Sequence, residues 1–439
     1  MIREISTHKR LYLLWGSAIA FVLLGVRFNS FFSIVAFLLF VFGVLVLPTK
    51  EAVLLAFGLF PYATLFKLGP ETTSLFTICE LLLLVLLLLR KRKVSAAFAS
   101  SVLVFLAYII FTSVHTFDAS AIIKTILSFF LVAFLPEKLS EIDIKNVAYM
   151  SSVTAVFSML LSSNKKFIPY LTPYYGDVNN YVDSSGQMTD TVRASGFFSD
   201  PNYCAMFLII TLSLLCVLYC LRKIGLEFWV LFLTILFAGL FTYSRSYFLC
   251  AIILIVFFLL FALIPHRRLA AFFFAIAIVF FIVLGVAGEI ESINLVLDRF
   301  NSSDSNAATG RGALNSEYLL YLWENPSALF WGRGIATERL ETSSNNVHNI
   351  YIEMLFKLGV FGSIIYIVAL FFSLKSTVLK SGGKKRLIVS WLPLFFLGLM
   401  YGFLAGISDY ALPFYIVIAM MSLKIGQGDE KRDEIVKNW

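Results

Sequence analysis

Phe31-Phe32-Ser33-Ile34-Val35-Ala36-Phe37-Leu38-Leu39-Phe40-Val41-Phe42-Gly43-Val44-Leu45-Val46-Leu47 carries no charge from end to end and stops at Pro48. Coiled as a helix, a run of this length extends about 25 Å, close to the hydrocarbon thickness of a bilayer. Lipid offers an open backbone no hydrogen-bond partner, so a helix is the form such a run takes there. A membrane barrel strand would alternate polar and apolar positions, and this stretch does not. Similar runs recur along the 439 residues, of which 59% are hydrophobic and 14% charged, more apolar surface than a soluble core absorbs.

Working outward from residues 31–47, the apolar runs predict further helices near 11–28, 51–68, 75–89, 97–115, 121–136, 145–162, 198–221, 227–243, 245–264, 269–287, 349–374, 388–404 and 407–424. The expected fold is all-α: a polytopic membrane bundle of about 14 helices, within a range of about 12 to 14. Residues 1–439 read as a single integral membrane domain, with no internal repeat and no soluble domain. Lys and Arg of short loops stay on the cytoplasmic side. With the N-terminus inside, Arg90-Lys91-Arg92-Lys93, Arg222-Lys223, Arg267-Arg268 and Lys384-Lys385-Arg386 all fall on that side. The net charge of +8 is mostly this asymmetry, and its dispersal over separate helix ends speaks against nucleic acid as a partner. The first run passes directly into the second without a small-residue cleavage site, so it is expected to remain as an anchor.

Two polar segments are left on the external face, 163–197 and 289–348. In the second, Leu314, Tyr318, Leu319, Leu322 and Trp323 recur at helical spacing, which predicts an amphipathic helix lying against the membrane or over the bundle mouth. Several chemistries drop out. Cys79, Cys204, Cys216, Cys220 and Cys250 show no metal-ligand or redox spacing and read as packing residues. There is no Walker-type phosphate loop, dinucleotide fingerprint, paired zinc histidines or nucleophile elbow. No Asp-x-Asp pair stands outside to hold a divalent metal against a nucleotide diphosphate, so neither a metal site nor a nucleotide-sugar donor is expected.

Three short motifs share the external face. In Arg193-Ala194-Ser195-Gly196-Phe197-Phe198-Ser199-Asp200-Pro201-Asn202, Asp200 reads as a helix cap with Pro201 in the first turn. The outward helix end, with Arg193 upstream, suits a phosphate, although a well-capped helix would look the same. Thr242-Tyr243-Ser244-Arg245-Ser246-Tyr247 is a tight turn between two apolar runs, and an arginine there opposes the orientation rule; such cations mark substrate paths. The third motif runs from Arg311 through Trp323, Pro326 and Trp331-Gly332-Arg333-Gly334 to His348-Asn349, with Gly359 and Gly362 beyond, a pair whose plainer use is close helix packing. His348 sits where the polar segment turns back into an apolar helix; it reads either as part of a catalytic site at a membrane surface or as a loop residue bonding Asn345 or capping that helix. His8, His115 and His266 read as interfacial. Glu353 and Lys357 are spaced for an ion pair. Lys124, Glu80 and Asp409 lie at or within apolar runs, and Tyr174, Tyr175 and Tyr181 suit either sugar stacking or an interfacial belt.

Arg193 with Pro201-Asn202, the Ser244-Arg245 turn, the Trp-Gly-x-Gly segment and His348-Asn349 followed by Gly359 together resemble the O-antigen polymerase and ligase family of bacterial envelope enzymes, over residues 190–365. The resemblance implies a GT-C-like bundle in the bacterial cytoplasmic membrane that works at its outer face on glycans carried by undecaprenyl diphosphate, without cofactor or metal. Its products would be O-antigen, lipopolysaccharide, capsule or exopolysaccharide. The implied partners are a lipid-linked donor and acceptor and membrane lipid, with a chain-length regulator and a flippase alongside. His348, Arg245 and Arg193 are the expected catalytic residues; Arg311, Asn202, Asn349, Tyr243 and Arg333 are the expected substrate contacts. Repeat-unit polymerase is the first expectation, ligase the near alternative, and a transporter of lipid-linked sugars the alternative from another class.

Overall fold

The computed structural model describes residues 9–90, 95–112, 119–138, 140–175, 180–182, 188–258, 311–335, 337, 339–340, 347–378, 388–404 and 412–425. The helix expected at 269–287, most of the segment 289–348, and His8, His115, His266, Asn345 and Asp409 lie outside these residues. The described helices are α1 Lys9–Arg27, α2 Phe31–Val46, α3 Thr49–Leu59, α4 Leu75–Leu89, α5 Ala96–Thr112, α6 Ala119–Lys138, α7 Glu141–Ser162, α8 Ile168–Tyr175, α9 Pro201–Cys220, α10 Glu227–Ala238, α11 Arg245–Phe258, α12 Arg311–Glu324, α13 Pro326–Trp331, α14 Ile350–Val378, α15 Leu392–Tyr401 and α16 Leu412–Ile425. The body is helical as expected. The exception is a short antiparallel hairpin, β1 Asn180–Val182 paired with β2 Met188–Val192, inside the segment read as an external loop.

Four of these helices are long and apolar enough to cross a membrane by themselves: α1, α7, α9 and, within α14, Ile350–Ser373. Eight shorter apolar helices accompany them, the helix content of an integral membrane protein. The run at 51–68 is α-helical only over Thr49–Leu59, then tightens into a 3-10 turn at Phe60–Tyr62, where Pro61 ends the ladder. Arg90 at the end of α4 donates to the Thr49 hydroxyl at the start of α3, so the two helices run antiparallel and share one end. Lys50 reaches Asp143 at 3.6 Å from the same end. Asp143 in turn accepts from the Ser140 backbone N–H at 2.7 Å and its hydroxyl at 2.6 Å, capping α7.

The described residues fall into two compact units. One lies within Met1–Val147, Arg311–Arg386 and Tyr401–Trp439, the other within Ala148–Gly310 and Leu387–Met400. In the first, Phe414 of α16 stacks on Phe60 with centroids 4.9 Å apart and meets Phe57 edge-on at 5.1 Å, while Tyr366 of α14 packs on Phe105 and Phe129 of α5 and α6. In the second, α9 is apolar all round and buried over nearly its whole length, the pattern of a helix enclosed by others. Tyr219 at its end stacks on Phe228 at 4.3 Å, and Trp229, Phe232 and Phe258 complete that cluster. The cysteines are packing residues: Cys204 touches Met159 and Cys250 touches Met400, each sulfur pair 3.5 Å apart.

The run at 349–374 is not one straight helix. Gly359 has φ 64° and ψ −176°, so α14 breaks there into an arm, 350–358, and a second stretch, 360–378, which at about 28 Å is long enough to span. Breaking a helix in an apolar setting frees carbonyls that must find donors. The Phe356 carbonyl accepts from the Arg333 N–H at 2.9 Å and the Lys357 carbonyl from the Gly334 N–H at 3.0 Å. The Leu358 carbonyl accepts from the Tyr108 hydroxyl at 2.7 Å. Across the break, the Ser363 hydroxyl reaches the Gly359 carbonyl at 2.6 Å. Gly332 (φ 78°, ψ 176°) lies directly against Gly359, and a Cβ on either would overlap the other strand's backbone. Gly359 thus serves a break rather than a smooth helix contact. Both glycines occupy a region of backbone space essentially closed to other residues. Gly359→Ala is expected to cost 2 kcal/mol or more, roughly the sum of backbone strain and backbone overlap; a purified variant whose thermal unfolding midpoint matches the wild type would contradict this.

Candidate functional site

The second unit gathers Arg193, Asn202, Tyr243 and Arg245 at one polar corner. The 3-10 turn Gly239–Thr242 ends in Tyr243, whose φ of 47° reverses the chain and lets Ser244 start α11. The Ser244 hydroxyl caps that helix, accepting from the Tyr247 N–H at 3.4 Å, and donates to the Asn202 side-chain oxygen at 2.8 Å. Asn202 stands in the first turn of α9, where Asp200 caps as expected: its carboxylate accepts from the Asn202 N–H at 2.6 Å and from the Asn202 amide at 2.8 Å. Two capped helix N-termini therefore meet through one side chain. The chain segment before α9 is bound to the turn as well, since the Ala194 N–H donates to the Phe241 carbonyl at 2.9 Å and the Arg193 Nε to the Thr242 carbonyl at 3.2 Å. Arg193 and Arg245 are both half-buried.

Packing explains why the corner holds its shape. Gly196, at φ 62°, sits against Cys204 and Ser158, and its N–H donates to the Ser162 hydroxyl at 3.2 Å, anchoring the segment on α7. Gly239 leaves room for the Tyr247 ring, whose hydroxyl donates to the Leu236 carbonyl at 2.9 Å. Asn202 and Tyr243 are buried. The Asn202 side chain is engaged at both ends by Asp200 and Ser244, so it works as a link inside the corner.

The first unit carries the other expected residues. Asn349, not His348, caps the arm of α14: its side-chain oxygen accepts from the Tyr351 N–H at 3.0 Å and the Ile352 N–H at 3.3 Å. His348 is half-buried, one position before this cap. One turn on, Glu353 and Lys357 form the expected ion pair at 2.8 Å, with side chains only 6% and 12% exposed. Beneath lies a cluster of Tyr318, Leu322, Ala328, Leu340, Val347, Ile352 and Phe356, in which α12 packs on the arm. Tyr318 packs with Val347 in this cluster, and its hydroxyl accepts from the Leu340 N–H at 3.1 Å. Burial pushes the Tyr318 hydroxyl above its ordinary pKa, and backbone hydrogen bonding opposes the shift.

The expected apolar stripe of α12 is split. Tyr318 and Leu322 are buried, whereas Leu319 is 49% and Trp323 80% exposed, because the helix packs on the arm through a narrower face than the spacing suggested. Arg333 is exposed, with its guanidinium 5.9 Å from the centroid of the Tyr321 ring. Arg311 opens α12, and its side chain lies outside the described placements. The expected site residues thus fall into two groups, Arg193, Asn202, Tyr243 and Arg245 in one unit and Arg311, Arg333, His348 and Asn349 in the other. Tyr108 was not among them, and no local pattern in α5 marks it.

Residues 230–367 match the family model described as O-antigen ligase. Over this stretch the chain is similar to that family of O-antigen polymerase and ligase enzymes, as its motifs suggest. The match includes Tyr243, Arg245, Arg311, Arg333, His348 and Asn349; Arg193 and Asn202 precede it, tied to it by the contacts to Thr242 and Ser244. Comparisons with curated proteins and with solved structures give no match.

Each cap has a stability that can be measured. Ser244→Ala and Asn349→Ala are each expected to lower stability by about 1 kcal/mol, with the larger loss at Ser244, where the Asn202 oxygen also loses its donor. Chemical unfolding of the two variants in detergent should rank them in that order, and no change at either position would remove the capping assignment.

Proposed function

We propose that this protein is a glycosyltransferase of the bacterial cytoplasmic membrane that polymerises undecaprenyl diphosphate-linked repeat units into O-antigen, capsule or exopolysaccharide at the outer face. The reading rests most on one observation: a family-matched turn carries Arg245, and the backbone of the same turn holds Arg193 beside two capped helix N-termini. Guanidinium groups stay protonated and fit phosphate oxygens in pairs, and helix N-termini add fixed positive potential. That is the equipment a departing lipid diphosphate requires.

In the proposed reaction an acceptor sugar hydroxyl attacks the anomeric carbon of the donor. The new carbon–oxygen bond forms as the bond to the diphosphate breaks, and the diphosphate leaves with the electron pair. Arg193 and Arg245 stabilise the growing negative charge. His348, as a neutral imidazole, takes the hydroxyl proton as general base. A single displacement inverts the anomeric carbon and calls on no metal, because the guanidinium groups carry the charge. Arg311, Arg333 and Tyr243 are assigned to the glycan and its carrier, while Asn202 and Asn349 hold the local backbone. The proposed fold has about 14 spans in a GT-C-like arrangement, with 163–197 and 289–348 external. A chain-length regulator and a flippase are the proposed partners in the membrane.

The second reading is a ligase that transfers the finished glycan to a lipid core or a protein, and the matched family is described by that activity. Donor chemistry is the same; only the acceptor differs. Reconstitution of the purified protein with an undecaprenyl diphosphate-linked repeat unit, with no nucleotide added, separates them. A ladder of longer lipid-linked glycans is the expected result for the wild type and for His266→Ala. Loss of at least about a hundredfold is expected for His348→Ala and Arg245→Ala, in the range for removing a base or a charge-stabilising donor. Extension only when a lipid core is supplied would establish the ligase, and equal activity of all variants would sink the site assignment.

A further inference from the structure

Tyr108 lies in α5, far in sequence from every motif of the site, yet it touches both sides of the break in α14. Its hydroxyl is 2.7 Å from the Leu358 carbonyl, where the arm ends, and 2.7 Å from the Trp331 carbonyl, just before Gly332. A phenol has one proton, so the two carbonyls share one donor. The ring stacks on Trp331 with centroids 6.4 Å apart and planes at 20°. On its other side Gly362 is hydrogen-only, and a Cβ there would run into the ring. The side chain is buried. Arm, glycine segment and second helical stretch therefore all register on one residue of a different helix.

We propose that Tyr108 is a positioning residue for His348, acting through the arm of α14; as a statement about catalysis this rests on the function proposed above. The arm is a short rigid helix fixed at both ends. The Asn349 cap and the packing of Val347 and Ile352 against Tyr318 define the end beside His348, and Tyr108, with the Arg333 and Gly334 N–H groups, defines the other. At about 13 Å long, the arm converts a tilt of about 5° at Leu358 into roughly 1 Å at His348, and a displacement of that size can cost about a hundredfold in rate. Trp331 sets the ring and the hydroxyl sets the carbonyls, so removal of the oxygen alone frees the arm without emptying the site.

The test is Tyr108→Phe, with Phe111→Leu as the control. Phe111 is on the same helix and touches the same Trp331 ring at 6.1 Å, and it has no hydroxyl to lose. Two readouts are taken: hydrogen exchange of the peptides covering 332–335 and 350–358, and turnover of the lipid-linked repeat unit. Tyr108→Phe should speed exchange in those two peptides and leave α9 unchanged; kcat should fall about ten- to a hundredfold with KM within about twofold. Phe111→Leu should alter neither. Unchanged exchange at 332–335 and 350–358 would overturn the proposal, as would matching losses in both variants or faster exchange that reaches α9, which would make Tyr108 a residue of the fold only. Should the wild type fail to extend the substrate at all, the functional reading falls, while the exchange data still decide whether the hydroxyl holds the arm.

Discussion

A helix surrounded by apolar groups can stop only where its last carbonyls meet donors, and the first unit is arranged around one such stop. The arm of α14 ends at Leu358 because the N–H groups of Arg333 and Gly334 and the hydroxyl of Tyr108 are waiting for three successive carbonyls. Gly332 and Gly359 are the condition for that arrangement, since only without side chains can the two backbones approach so closely. The cluster under α12, the Glu353–Lys357 pair and the cap at Asn349 all stand on the arm that the break creates. His348 owes its place to that arm.

The second unit reaches order by another route. Its polar corner is a chain of short-range caps, Asp200 to Asn202 to Ser244, fastened to a backbone reversal at Tyr243. Here the helix ends themselves are the functional feature. Each cap leaves some N–H groups of its first turn unpaired by the helix, and the arginines flank the turn from which one of those helices starts. The cost of burying so many polar atoms is met by bonding them to one another.

How far the sequence could be read depended on the distance over which each feature is determined. The Asp200 cap with Pro201 was legible because its partners are two residues away, and the Glu353–Lys357 pair because helical spacing alone makes it. The family resemblance was legible for the same reason, being carried by short motifs in order. The break at Gly359 was not, because hydropathy runs on through it and a glycine pair also suits smooth packing. Tyr108 was invisible: its two carbonyl partners lie 223 and 250 residues along the chain. The stripe of α12 was half legible; spacing predicted the helix, and the width of its buried face was set by Phe356 and Val347, which the helix itself does not contain. The hairpin at 180–192 escaped for lack of length, its strands being 3 and 5 residues.

The break in α14 also bears on the order in which the chain is made. Tyr108, Arg333 and Gly334 all precede Phe356, Lys357 and Leu358 in the sequence, so each of these three donors exists before the carbonyl it will serve leaves the ribosome, and only the Ser363 hydroxyl follows its acceptor, Gly359. An interrupted helix synthesised ahead of its donors would sit in the bilayer with open backbone groups or slide into a longer continuous form. In this protein the end of the arm arrives after the three donors that receive it, and biogenesis need not hold those carbonyls open in waiting.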